Sequence, residues 1–243
     1  MIPLSDPDTP RRTFPFVTLG IVILNIIVFV YELSLGENVQ DFVLRAGVVP
    51  AEYLCRCDIS PMDVGPYWFT LFTSMWLHGG LLHIGGNMLY LWIFGDNVED
   101  TFGHLRYLLF YLASGVISGL AQVWADPSSQ IPGLGASGAI AGVLAAYQVF
   151  FPQAQIRTLL FLGPFVTLQR VPALLMLGFW FLIQLASGVG SLGATTSTTD
   201  PSGGVAYWAH IGGFVFGLLI AFVVKSAGLQ RVPLRSGVTL GSR

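Results

Sequence analysis

Apolar residues gather into six runs, at about 14–33, 81–95, 105–125, 135–151, 171–187 and 205–224, and proline- or glycine-bearing turns at Pro127, Pro132, Pro152, Pro164 and Pro201 separate the later ones. A helix needs about 20 apolar residues to cross a hydrocarbon layer about 30 Å thick, and Pro and Gly punctuate such helices where the chain turns. The pattern predicts an all-α membrane protein, a bundle of six transmembrane helices. The first run follows Arg11-Arg12, yet it is longer than the roughly 7–15 residues of a signal-peptide core and ends in Tyr31-Glu32-Leu33 without a small-residue cleavage pattern. It is therefore expected to stay as a span. The segment 34–80 is mixed in character, with Pro50, Pro61 and Pro66 between amphipathic pieces, and is expected to be a structured, partly interfacial loop.

Composition agrees with lipid as the solvent. Of the 243 residues 53% are hydrophobic and only 10% charged, against about 25% charged in soluble domains, and the mean hydropathy is +0.70. The formal net charge of -2, scattered along the loops, excludes a polyanion-binding surface, so no nucleic-acid partner is expected. Cationic residues set the direction of insertion. With the N-terminus inside, the inner segments hold nine of them (Arg11, Arg12, Arg106, Arg157, Arg170, Lys225, Arg231, Arg235, Arg243) and the outer ones only Arg45 and Arg56. Both termini are thus expected in the cytoplasm, as tails 1–12 and 226–243 around a membrane domain at 13–225. Cys55 and Cys57 are too few for a zinc site and close together for an ordinary disulfide, and read as two loop thiols.

In this orientation the second, fourth and sixth spans run from outside to inside, and each opens on polar residues. The second begins His83-Ile84-Gly85-Gly86-Asn87, whose spacing puts His83 and Asn87 on one helix face. The fourth begins Gly135-Ala136-Ser137-Gly138, and the sixth carries Ala209-His210-Ile211-Gly212-Gly213. Polar side chains inside spans usually face a bundle interior or a wet cavity. Gly138-x-x-x-Gly142 and Gly213-x-x-x-Gly217 are patterns that let two membrane helices approach closely, which would bring Ser137 to His210. A serine hydroxyl becomes a useful nucleophile when a neighbouring imidazole takes its proton. No intramembrane carboxylate offers itself as a third member, so the expectation is a dyad. The Ser137 amide, in a first helical turn, together with Asn87 and His83, would supply donors for an oxyanion.

These elements resemble the rhomboid family of intramembrane serine proteases. The likeness runs from about Trp76 to Lys225 and rests on His83-x-x-x-Asn87, Gly95-x-x-x-Glu99-x-x-x-Gly103, Gly135-x-Ser137-Gly138 and Ala209-His210-x-x-Gly213-x-x-x-Gly217. The resemblance implies Ser137 as nucleophile, His210 as general base, and His83, Asn87 and the Ser137 amide as oxyanion-hole groups. It also implies a six-helix fold, no metal or other cofactor, transmembrane segments of other proteins as substrates, and residence in a cell membrane, the inner membrane of a bacterium. Two departures stand out. A Trp-Arg pair found in the first loop of some members is missing, and Ala141 stands where some carry an aromatic ring that stacks on the histidine.

Other polar residues receive structural readings. Glu99 is expected to bind free backbone N–H groups in the turn that follows it, His78 and His104 to be solvated or interfacial, and Gln184 to hold water or a neighbouring helix. Phe179-Trp180-Phe181 on the fifth span is a candidate gate for lateral substrate entry. Two rival functions compete. A non-catalytic rhomboid-like protein that binds transmembrane clients would typically lack the serine or the histidine, and both are present. A channel or transporter would trace a polar route across the bilayer, whereas these groups cluster near one face. Oligomeric state and substrate identity are not set by the sequence.

Overall fold

The computed structural model describes residues 1–9, 12–57, 65–163, 165–191 and 206–231. Arg11, Pro61, Pro164, the 192–205 segment with the start of the sixth run, and the tail beyond 231 with Arg235 and Arg243 lie outside the described residues. The elements in chain order are β1 (Ile2–Ser5), α1 (Phe16–Ser34), α2 (Val39–Ala46), α3 (Pro50–Cys55), α4 (Thr70–Thr73), α5 (Leu81–Phe102), α6 (His104–Ala125), α7 (Ser137–Phe150), β2 (Gln155–Leu162), β3 (Phe165–Pro172), α8 (Ala173–Ser191) and α9 (Tyr207–Ser226).

The architecture is mostly helical, as the hydrophobic pattern predicts. Among the described residues α1, α6, α8 and α9 are long and apolar enough to cross a membrane. The helices over the other two runs differ for identifiable reasons. Helix α5 is long enough, but its C-terminal half carries Asp96, Asn97, Glu99 and Asp100. Helix α7 has 14 residues, about 21 Å at the usual rise, and is buried along nearly its whole length.

Burial of α7 follows from its small residues. A β-carbon on Gly213 of α9 would collide with the carbonyl oxygen of Gly138, and one on Gly217 with that of Gly142. On the other flank, a β-carbon at Gly142 would lie 2.6 Å from Ser114 Oγ of α6. Only glycine permits both approaches, so α7 is clamped between α6 and α9, in the close packing expected of small-residue stripes in lipid.

The Gly95-Glu99-Gly103 stretch also explains itself. Glu99 is fully buried and accepts hydrogen bonds from the Val17 and Thr18 amides (3.0 and 2.8 Å), from Thr18 Oγ1 (2.7 Å) and from His104 Nδ1 (2.6 Å). The amides it satisfies belong to the first turn of α1, which has no capping side chain of its own, and not to the turn after Glu99. Asp100 continues the seam by accepting from the Arg12 and Thr13 amides. Gly103, at φ +81°, makes the abrupt link between α5 and α6.

Two features lie beyond the pattern reading. The segment between α7 and α8 is a hairpin, β2 antiparallel to β3, and β1 adds to β2 as a third strand. The first residues of the expected tail are therefore part of a sheet. Cys55 and Cys57 are joined in a disulfide and are not loop thiols. Arg56 between them adopts a left-handed conformation (φ +56°) where α3 ends, which folds the chain back so that the two Cα atoms lie 5.3 Å apart, within disulfide range.

Candidate active site

Three helix N-termini meet at one end of the bundle. Ser137 is the first residue of α7, His83 the third of α5 and His210 the fourth of α9. His210 Nε2 lies 2.7 Å from Ser137 Oγ, so the glycine contact between α7 and α9 does join the two residues. Ser137 remains partly accessible, whereas His210 is buried.

The other imidazole nitrogen defines the tautomer. His210 Nδ1–H donates to Gln184 Oε1 of α8 at 2.7 Å, which leaves the Nε2 lone pair facing the serine hydroxyl. Gln184 is itself buried. Sequence reasoning singled it out as a polar residue in a span but did not connect it to the histidine, since only tertiary packing shows which helix α8 faces. One turn earlier on the same helix, the Trp180 ring sits 5.7 Å from the His210 ring, inclined by 36°. An aromatic from α8 thus lies against the histidine ring, although Ala141 has no ring to offer. Of the candidate gate residues, Phe181 stacks on Phe214 at 4.3 Å, while Phe179 is exposed.

His83 and Asn87 occupy the third side. Gly135, at φ +121°, has no room for a side chain: a β-carbon there would lie 2.8 Å from His83 Nε2 and 3.6 Å from Ser137 Oγ. This places the imidazole edge of His83 against the turn that carries the serine. His83 Nδ1 accepts the Gly79 amide at 3.3 Å, so Nε2 is the nitrogen turned toward that turn. Asn87 is buried and its Nδ2 donates to His78 Nε2 at 3.0 Å.

His78 corrects an expectation. It is 3% exposed, not solvated, and burial holds its pKa at about 4, well below the ordinary imidazole range, so it is neutral. Its ring donates from Nδ1 to the Trp76 carbonyl at 3.3 Å, and its amide donates to the buried Glu32 carboxylate, 3.2 Å from each oxygen. No sequence motif points to His78; its lone position before a span could mark a loop or a core histidine equally well. His104, bonded to Glu99, remains partly accessible as expected. No group of His, Cys, Asp and Glu that could hold a metal ion occurs among the described residues.

Chemically, a neutral imidazole is hydrogen-bonded to a hydroxyl on one side and an amide oxygen on the other. Beside them is the first turn of α7, whose N–H groups lack helical acceptors. That arrangement suits acyl transfer. Comparisons with known proteins agree. The Rhomboid domain family model matches residues 65–227. The chain is similar to Rhomboid protein 1, mitochondrial, of Saccharomyces cerevisiae, at 30% identity over 82% of this chain and 54% of that protein. It is also similar to rhomboid protease GluP of Bacillus subtilis (29% identity, 91% of this chain, 36% of that protein) and to rhomboid protease AarA of Providencia stuartii (26%, 84% and 70%). It spans about half the length, or less, of the first two relatives. From the match over 65–227 and the motifs within it, the chain belongs to the rhomboid family.

Proposed function

We propose that this protein is an intramembrane serine endopeptidase that hydrolyses peptide bonds in or near the transmembrane segments of other membrane proteins. The observation that carries the reading is the 2.7 Å contact between Ser137 Oγ and His210 Nε2 in a site otherwise walled by apolar helices. As a substrate carbonyl approaches, Ser137 Oγ attacks its carbon while His210 Nε2 takes the hydroxyl proton. The Nδ1–H of the resulting imidazolium is held by Gln184. Charge developing on the carbonyl oxygen meets the Ser137 amide, His83 Nε2–H and an Asn87 N–H not spent on His78. His210 then returns its proton to the leaving amine, and water repeats the sequence on the acyl-enzyme.

The length of α7 supports cleavage below the bilayer surface. A helix of about 21 Å is shorter than a layer about 30 Å thick, so with its last residue at the inner boundary its first, Ser137, would lie well short of the outer one. Substrate bonds reach such a position only where their own helix loosens, so helix-weakening residues near the outer end of a substrate span should favour cleavage. The Lys and Arg asymmetry supports an outward-facing site and cytoplasmic termini. A fluorophosphonate probe applied to the purified protein tests the proposal: labelling expected in the wild type and absent in Ser137→Ala. Labelling that persisted in that variant, or cleavage of a reporter substrate by it in liposomes, would leave the non-catalytic client-binding reading in its place.

A further inference from the structure

The three-stranded sheet presents an outer face that inverts the usual distribution of an antiparallel sheet, in which the solvent face is polar. Along β2 its inner face is covered: Ile156 and Thr158 are fully buried, and Thr158 Oγ1 lies 3.6 Å from Met176 Sδ, one turn into α8. Strand β2 therefore runs back beside the start of α8 and does not project away from the bundle. On the outer face, cross-strand partners form rows. Arg157 is opposite Arg170, Leu159 is between Ile2 and Leu168, and Phe161 is opposite Val166. Phe161 is 53% exposed, Val166 57% and Leu168 46%.

Like charges placed directly opposite destabilise a strand pair unless something compensates them. Arg170 has Asp8 at 3.5 Å, whereas Arg157 has no ion pair among the described residues. The basic row and the apolar tip are four residues apart on β2, about 13 Å at the usual rise. That distance is comparable to the depth over which an interfacial element passes from headgroups into the acyl layer. The hairpin connects two helices of a membrane bundle, so it lies at the bilayer boundary.

We propose that this face docks on the lipid leaflet at that boundary, with Arg157 and Arg170 on the phosphates of anionic headgroups and Phe161 and Val166 in the upper acyl region. The inference is independent of the catalytic reading, since neither row touches the active site. Its test uses the full chain in nanodiscs of zwitterionic phosphatidylcholine, with or without about 30% phosphatidylglycerol. A nitroxide on the Phe161→Cys variant should collide more with oxygen than with a water-soluble nickel chelate. Anionic lipid should raise the thermal midpoint by about 4–8 °C, and Arg157→Gln/Arg170→Gln should lose that gain. If the double variant does not fold, the native gain should instead shrink as salt is raised.

A label open to nickel would overturn the proposal, as would a gain absent in the native protein or retained without the arginines. A label shielded from both reagents would show that a second copy or another protein covers the face, and would equally overturn it.

Discussion

Replacing Gln184 by Leu tests how the histidine is held. The side chain keeps its approximate volume but loses the oxygen 2.7 Å from His210 Nδ1. In the resting state of the proposed mechanism that bond joins neutral partners. In the transition state the imidazole is positively charged, and bonds with one charged partner are about twice as strong. The bond therefore strengthens by about 1–2 kcal/mol during the reaction, which corresponds to a fall in kcat of about 5- to 30-fold. An ionised carboxylate in this place does far more, about 10⁴-fold in the soluble triad, so a neutral amide is expected to give a modest loss. Because Gln184 makes no contact with substrate in the proposed mechanism, KM should not change. The assay is initial-rate cleavage of a reporter transmembrane substrate in proteoliposomes, with Ser137→Ala as the blank. Gln184→Glu, which restores an acceptor, should recover much of the rate. Wild-type kcat in Gln184→Leu, or a loss expressed wholly in KM, would refute the assignment.

Further outcomes follow from the same geometry. Gly213→Ala forces a methyl group against the Gly138 carbonyl; the overpacking should cost about 1–3 kcal/mol and, by parting α7 from α9, about 10²-fold in rate. Gly20→Ala, with nothing within 4 Å of the added carbon, should leave activity and thermal midpoint intact. Asn87→Ala should retain partial activity, losing about 10²–10³-fold as one of several oxyanion donors is removed; complete loss at matched folding would give Asn87 a larger part than proposed. His78 is neutral when folded, with its pKa at about 4, whereas the unfolded chain takes up a proton near 6.5. The contribution of His78 to stability should thus be complete above about pH 6.5 and diminish by on the order of 3 kcal/mol towards pH 4, so wild type should lose stability relative to His78→Gln over that range in thermal melts. Because Cys55 and Cys57 are bridged, a membrane-impermeant thiol reagent should label intact cells only after mild reduction; labelling without reduction, or only after lysis, would contradict the bond or the outward loop.

Much of the candidate site was legible in the sequence, since each of its residues stands out from an apolar background at helical spacing. Ser137, His210, His83 and Asn87 are conspicuous because lipid leaves few reasons for polar side chains in spans, and the glycine patterns name the helices that touch. Gln184 was visible for the same reason, but its partner was not, because a helix with an apolar surface all round gives no sign of which side faces in. The hairpin escaped detection because Leu159-Leu160-Phe161 interrupts the alternation that marks a strand. The disulfide was missed because sequence spacing says nothing of the left-handed turn at Arg56 that brings its ends together.

Helix α1 lies outside the matched residues 65–227, yet the structure ties it to the site from both ends. At its start, the amides of Val17 and Thr18 are held by Glu99. Near its finish, Glu32 accepts the amide of His78, and the His78 ring in turn receives Asn87. Each carboxylate is buried and accepts backbone amides across the α1 contact, an arrangement that penalises displacement, since a shift of α1 would cost a buried acceptor its partners at either end. The segment carrying His78 is therefore fixed in depth and rotation relative to α5. Asn87 can present its remaining N–H in one direction only while His78 stays in place. The proposed oxyanion donor on α5 thus depends on a carboxylate two connections away, in a helix outside the matched residues.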